Sequence, residues 1–162
     1  MSKLTADLNN GQKLVPFEKG DYPARILKHE VGSSKNNPRY QMITVHWKPE
    51  GPKAGDNLGT ARDWVAYDGF DKNGDPVNIE KLCQYLNALN VPWECKNCGK
   101  ESTAAFQWQS GKPFCPSCGT QAAISFDPDL WDGKRATIRL DIGKMPNSDE
   151  ETNNVKRIMP IS

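Results

Sequence analysis

Cys95-Lys96-Asn97-Cys98-Gly99 and Cys115-Pro116-Ser117-Cys118-Gly119 repeat one pattern, C-x-x-C-G, with sixteen residues separating Cys98 from Cys115. Two thiolates spaced this way hold one Zn²⁺ when the backbone turns tightly between them, and the glycine that follows permits the positive φ such a turn needs. Two facing turns supply a tetrahedron of sulfurs. Ser102–Trp108 reads as one strand, Gln109-Ser110-Gly111-Lys112 as a turn, and Pro113-Phe114 as the lead into the second pair. This is the layout of a zinc ribbon, with one Zn²⁺ per chain on Cys95, Cys98, Cys115 and Cys118. All four positions are filled by cysteine, so the metal is expected to be structural. Disulfides are the competing reading. They would suit a secreted chain, whereas Met1-Ser2-Lys3-Leu4-Thr5-Ala6-Asp7 contains no apolar signal segment, which points to the cytoplasm. A thioredoxin-like redox role fits poorly, because neither pair opens a helix of a βαβ unit. The fifth cysteine, Cys83, falls on the apolar face of a predicted helix and reads as a buried thiol.

Working outward from the ribbon, the preceding chain reads as three strands and a helix. Tyr22–Val31 places Tyr22, Ala24 and Ile26 on one face. Arg39–Trp47 places Ile43, Val45 and Trp47 together, with Tyr40, Met42, Thr44 and His46 opposite. The polar loop 32–38 makes these two strands a hairpin. Leu58–Tyr67 is the third strand, with a bulge or strand end expected near Arg62 and Asp63 because both cannot enter a core. Asp71-Lys72-Asn73-Gly74-Asp75 begins like a calcium loop, but Pro76 stands where that loop needs glycine and no glutamate closes it. Asp75 as N-cap and Pro76 as first residue instead predict a helix to about Leu89, stopped by Asn90. Beyond the ribbon, residues 126–133 predict a short helical turn. Lys134–Ile142 then alternates, with Ala136, Ile138, Leu140 and Ile142 on one side. A polar loop from Pro146 leads to a last strand, Asn154–Ile161.

Composition sets bounds on this reading. The chain has 162 residues, 36% hydrophobic, with thirteen Gly and twelve Pro, which favours many turns and short strands. Mean hydropathy is −0.72 and no apolar run reaches the length of a membrane helix. The formal charge is +1, and four zinc-bound thiolates would subtract more than the ion restores. A global basic footprint is absent, so any nucleic-acid role must rest on a local patch.

With residues 93–120 set aside as the ribbon and 1–16 as a loosely held N-terminal segment, residues 17–92 and 121–162 give three strands, a helix and two strands. That is the element order of an OB-fold, a five-stranded Greek-key barrel, and the expected class is all-β with one helix. Gly20-Asp21-Tyr22-Pro23-Ala24-Arg25-Ile26, Ser33–Pro38, Leu130–Ile138 and Asn153–Ile158 together resemble small bacteriophage proteins encoded among replication and recombination genes. The resemblance spans most of residues 17–161. It implies an OB-fold single-stranded DNA-binding protein, with the ribbon as an addition to the simplest members. Single-stranded DNA and phage or host replication and recombination proteins are the partners it implies.

A single-strand binder needs aromatic faces for bases and cations for the backbone. Candidate aromatics are Tyr40, Trp47, Trp64 and Tyr67 on strands two and three, and Trp108 on the ribbon. Candidate cations are Lys35, Arg39, Arg62, Lys112, Arg135, Arg139, Lys156 and Arg157. Phe106 is expected to pack inside the ribbon, with Trp108 and Lys112 outward. Trp47 and Trp64 are also natural core anchors. The rival binding class is a zinc-ribbon adaptor that docks on a replication or transcription protein. An enzyme reading is disfavoured: His29 and His46 sit in no catalytic constellation, and no phosphate-cradling glycine loop occurs.

Overall fold

The computed structural model describes residues 3–7, 15–35, 37–121, 123–144 and 149–161. Of the N-terminal segment 1–16, residues 3–7 and 15–16 are described and carry no regular structure; the remainder lies outside the described residues, as does the start of the loop at Pro146.

Three strands open the chain: β1 (Gly20–Ser33), β2 (Tyr40–Pro49) and β3 (Ala61–Gly69). Helix α1 (Glu80–Leu89) follows. Five short strands form the ribbon region: β4 (Trp93–Cys95), β5 (Glu101–Ser102), β6 (Gln107–Gln109), β7 (Lys112–Phe114) and β8 (Ile124–Phe126). A 3₁₀ turn (Pro128–Trp131) leads to β9 (Arg135–Lys144) and β10 (Glu151–Met159). The main sheet runs β10-β9-β1-β2-β3, antiparallel throughout, and curls into a half-barrel. Strand β1 shows why it curls. Its first half, Gly20–Arg25, pairs with β9, while its stretch from Ala24 onward pairs with β2. The register shifts between Ile26 and Lys28, and such a bulge bends a strand and increases its twist. There Ile26 exchanges backbone hydrogen bonds with Gly133 and Lys134 (2.8 and 2.9 Å).

The alternating faces expected for β1, β2 and β9 are present. Tyr22, Ala24, Ile26, Ile43, Val45, Ala136, Ile138 and Leu140 are buried inside the curl, and Leu82, Tyr85, Leu86 and Leu89 of α1 cover them. Ile142, placed on the same face of β9, lies past the covered region and is exposed. Trp131 caps the core, stacked on Tyr85 with ring centroids 5.1 Å apart. Phe17 docks through Asn153, whose amide accepts from Phe17 N–H (2.7 Å) and donates to Phe17 C=O (2.9 Å).

Several expectations are corrected. Trp47 is a core residue at 0% exposure, and its indole N–H donates to the Tyr85 hydroxyl at 2.8 Å, so it presents no face to a base. The helix begins at Glu80. Pro76 instead bridges to Phe70, and the Asn78 side chain accepts the Glu80 amide at 2.9 Å. Asn90 does end it in the left-handed region, at φ 54°. Of the two alternatives at Arg62 and Asp63, the strand end holds, since β3 begins at Ala61; Arg62 faces outward and Asp63 inward, and the register shift lies further along, opposite Gln41 and Met42. The third strand starts at Ala61 and runs to Gly69. The last strand starts at Glu151 and ends at Met159, and the predicted strand 102–108 divides into β5 and β6.

A buried hydrogen-bond chain crosses the interior. Trp47 donates to Tyr85, the Tyr85 hydroxyl donates to Asp63 Oδ2 (2.7 Å), and Lys81 Nζ donates to Asp63 Oδ1 (2.6 Å) and to Val155 C=O (3.2 Å). Strands β3 and β10 come close but share no ladder among the described residues, so Lys81 joins by a side chain two edges that the backbone leaves unjoined.

Candidate functional site

The four cysteines arrive from two copies of one backbone turn. At the first, Gly99 N–H donates to Cys95 C=O (2.8 Å) and Cys95 N–H to Lys100 C=O (3.0 Å). At the second, Gly119 N–H donates to Cys115 C=O (2.8 Å) and Cys115 N–H to Thr120 C=O (2.9 Å). Gly99 and Gly119 take φ of 70° and 69°, a conformation that explains the glycine after each pair. Strand β4, which pairs with β5 and β8, leads into the first turn, and β7 of the hairpin β6–β7 leads into the second. Ser110 and Gly111, both at positive φ, form the hairpin's two-residue turn.

All four Sγ atoms lie within 4.8 Å of one another, with Cys95–Cys118 at 3.8 Å and Cys98–Cys115 at 3.9 Å. No pair is disulfide-bonded. The cluster can hold a metal ion. Its electrostatics fit a cation: the Thr120 hydroxyl (3.0 Å) and backbone amide and the Asn97 amide (3.6 Å) bring the Cys118 thiol down to about 6. At Cys98 the Lys100 amide acts to lower the value, but desolvation and the neighbouring sulfurs outweigh it and push the thiol up to about 11. Four sulfurs this close do not all ionise unless positive charge sits among them. Cys83 stands apart, and burial raises its thiol to about 12, as an inert buried cysteine should behave.

Phe106 packs on Trp93, stacked at 4.4 Å with 19° between planes, while Trp108 is 47% exposed on β6 and Lys112 is exposed on β7.

The remaining candidates divide by location. Arg62, Trp64 and Lys156 line one groove of about 300 Å³, together with Lys81 and Asn154, at the junction of β3 and β10. Trp64 is 51% exposed there, and Arg62 and Lys156 make no ion pair among the described residues. Thr44 lies beside Trp64 and His46 beside Arg62 in the β2–β3 register. Burial, with Arg62 and Lys28 nearby, holds the His46 pKa below its usual value, so positive charge on this face comes from the lysine and arginine. Lys35 and Arg39 are exposed in the β1–β2 loop, and Tyr40 is half-buried where β2 begins. Tyr67 is half-buried and meets Phe126 edge-on at 6.0 Å. Arg135 and Arg139 are exposed on β9 but already engaged. Arg135 lies 3.4 Å from Glu50, and Arg139 donates to both Asp21 oxygens (2.8 and 3.3 Å), holding that carboxyl below its usual range. Arg157 is exposed in β10.

Sequence reasoning missed Lys81. Its partner Asp63 lies 18 residues earlier on the preceding strand, and a lysine at the start of an amphipathic helix reads as solvated. Comparison with protein-family models finds no match, and comparison with curated protein sequences finds none either. No helix among the described residues is long and apolar enough to cross a membrane.

Proposed function

We propose that this chain binds single-stranded DNA, without strong sequence preference, on an OB-fold barrel carrying an inserted zinc ribbon, and that it serves phage DNA replication or recombination. The observation that carries the reading is the groove at the β3–β10 junction, where a half-exposed indole stands with two cations, Arg62 and Lys156, that make no ion pair among the described residues. A base stacks on Trp64 while flanking phosphates meet the guanidinium and the ammonium; every base has a π-face, so the contact tolerates sequence. The barrel assignment is supported by the sheet order, by the placing of α1 after the third strand, and by the approach of β10 to β3. Zinc is the ion proposed because Zn–S bonds of about 2.3 Å in a tetrahedron set sulfurs about 3.8 Å apart, and thiolate-only sites favour it. In this role zinc orders the ribbon and takes no part in chemistry.

Trp64→Ala is expected to weaken binding of an unstructured oligonucleotide by about 1–3 kcal/mol. Arg62→Ala and Lys156→Ala should each flatten the slope of log K against log salt by about 0.7. Arg139→Ala serves as the contrast, since its charge is already met by Asp21. Fluorescence titration with single and double strands makes the measurement. Equal affinity for duplex, or an unchanged salt slope in both cation variants, would overturn the assignment.

A second reading, docking of the ribbon on a replication or transcription protein, has one observation in its favour: Trp108 is exposed near Lys112 on a hairpin tip. Trp108→Ala is then expected to keep metal content and melting temperature while losing partner capture. If it instead lowers only single-strand affinity, the tip belongs to the DNA interface.

A further inference from the structure

A cavity of about 540 Å³ lies between the far end of the sheet and the ribbon. Val31 and Ile43, a cross-strand pair, form one wall with Tyr67; Phe106, Ile124 and Phe126 form the other. The walls are mainly apolar and aromatic, but Asp68, Ser125 and Gln121 place acceptors and donors at the lining. Val31 is 54% exposed although it stands opposite the buried Ile43, so the cavity opens to solvent at the β1 side. Cations border it from two directions. Lys112 adjoins the lining residue Pro113. Lys35 and Arg39 sit in the β1–β2 loop, which lies over the end of β3 because Phe70 N–H donates to Arg39 C=O at 3.1 Å. None of the three enters an ion pair among the described residues.

We infer that this cavity receives one unstacked nucleobase of the bound strand, an inference that rests on the single-strand reading above. Aromatic walls with a few polar groups match a flat heterocycle with hydrogen-bonding edges, and the bordering cations match its phosphates. A lipid chain would leave Asp68 and Gln121 without purpose, and a helix would not fit the volume. The position also agrees: Trp64 in the basic groove and Asp68 at the cavity are four residues apart on β3, about 13 Å of extended strand. They face opposite sides of the sheet, because the register shift between them turns Asp68 to the Ile43 side while Trp64 shares the Thr44 side, so a strand reaches both by crossing the β3 edge. The ribbon gains a task from this placement, since it supplies half of the cavity wall.

The test uses the intact zinc-loaded protein and a set of single-stranded oligonucleotides, each lacking one base at a different position. For the wild type, one or two positions are expected to cost roughly tenfold in affinity and the others little. Val31→Glu and Ala123→Glu, both at exposed lining positions, should remove that position-specific penalty by closing the cavity to a base. Metal content and melting temperature should stay unchanged, and 2-aminopurine at the sensitive position should report the loss. If intact single strands bind but every missing base costs the same, or if both variants retain the penalty, the cavity inference is overturned and the single-strand reading stands. If no single strand binds the wild type, both fall together.

Discussion

Lys81→Met is expected to lower the unfolding free energy by about 3 kcal/mol. Removing one partner of a buried ion pair leaves the other charge without compensation, which costs about 3–5 kcal/mol in general. The low end applies because Lys81 is itself about one-third exposed and Asp63 keeps two donors, the Tyr85 hydroxyl and the Trp64 amide. The change also strips Val155 C=O of its partner and opens the β3–β10 junction. Burial, acting against Lys81 and the other donors, holds the Asp63 pKa above its ordinary value. A carboxyl raised in the folded state binds more protons folded than unfolded, so its contribution falls as pH rises from the unfolded value through the folded one. Lys81→Met raises it further. The deficit of the variant should therefore shrink as pH is lowered into that window, and pairing it with Asp63→Asn should recover most of the loss. Urea unfolding of the three proteins at several pH values decides this. A loss under about 0.5 kcal/mol at neutral pH would mean that water already serves Asp63.

The second large effect concerns the metal. Protein prepared without chelator is expected to carry close to one zinc per chain, and Cys95→Ser with Cys98→Ser to carry almost none. Zinc binding is worth about 10–16 kcal/mol to isolated small zinc domains, far more than strands of two or three residues can supply. Without the ion, the hairpin and both cysteine turns should lose hydrogen-exchange protection. The main sheet should keep its own, because its core of Ile26, Val45, Trp47 and Ile138 is covered by α1 and Trp131. Two disulfides in freshly purified protein, with no metal, would refute the site.

How far the sequence revealed this arrangement depends on the range of each interaction. The cysteine turns were legible because everything they need lies within six residues, down to the glycine at positive φ. The inward face of β9 was legible for the same reason, since alternation is a local property. Trp47 and Trp64 show the limit. Trp47 sits in an alternating strand, whereas the run Trp64-Val65-Ala66-Tyr67 leaves the faces of β3 unseparated, and only the packing of α1 decides which indole enters the core. The helix start misled because Asp75-Pro76 is a sound local capping signal, whereas Pro76 bridges to Phe70 and the helix begins only at Glu80, after Ile79. Arg135 and Arg139 looked available because Glu50 and Asp21 approach them only after β9 has paired with β1. The groove at Arg62, Trp64 and Lys156 joins residues from opposite ends of the chain, and no local pattern records it.

The antiparallel pairing of Trp93 with Phe126 bears on the order of assembly. A chain leaving α1 must traverse the whole ribbon before β9 can find β1. Loop-closure entropy grows with the logarithm of the intervening length, and pairings between distant segments slow a barrel's closure. With the four sulfurs sharing an ion and β4 paired to β8, the ribbon's two ends meet and the tether between α1 and β9 shortens to residues 90–92 and 127–134. Metal capture thus acts on how quickly the last two strands reach their places, as well as on the ribbon they leave behind.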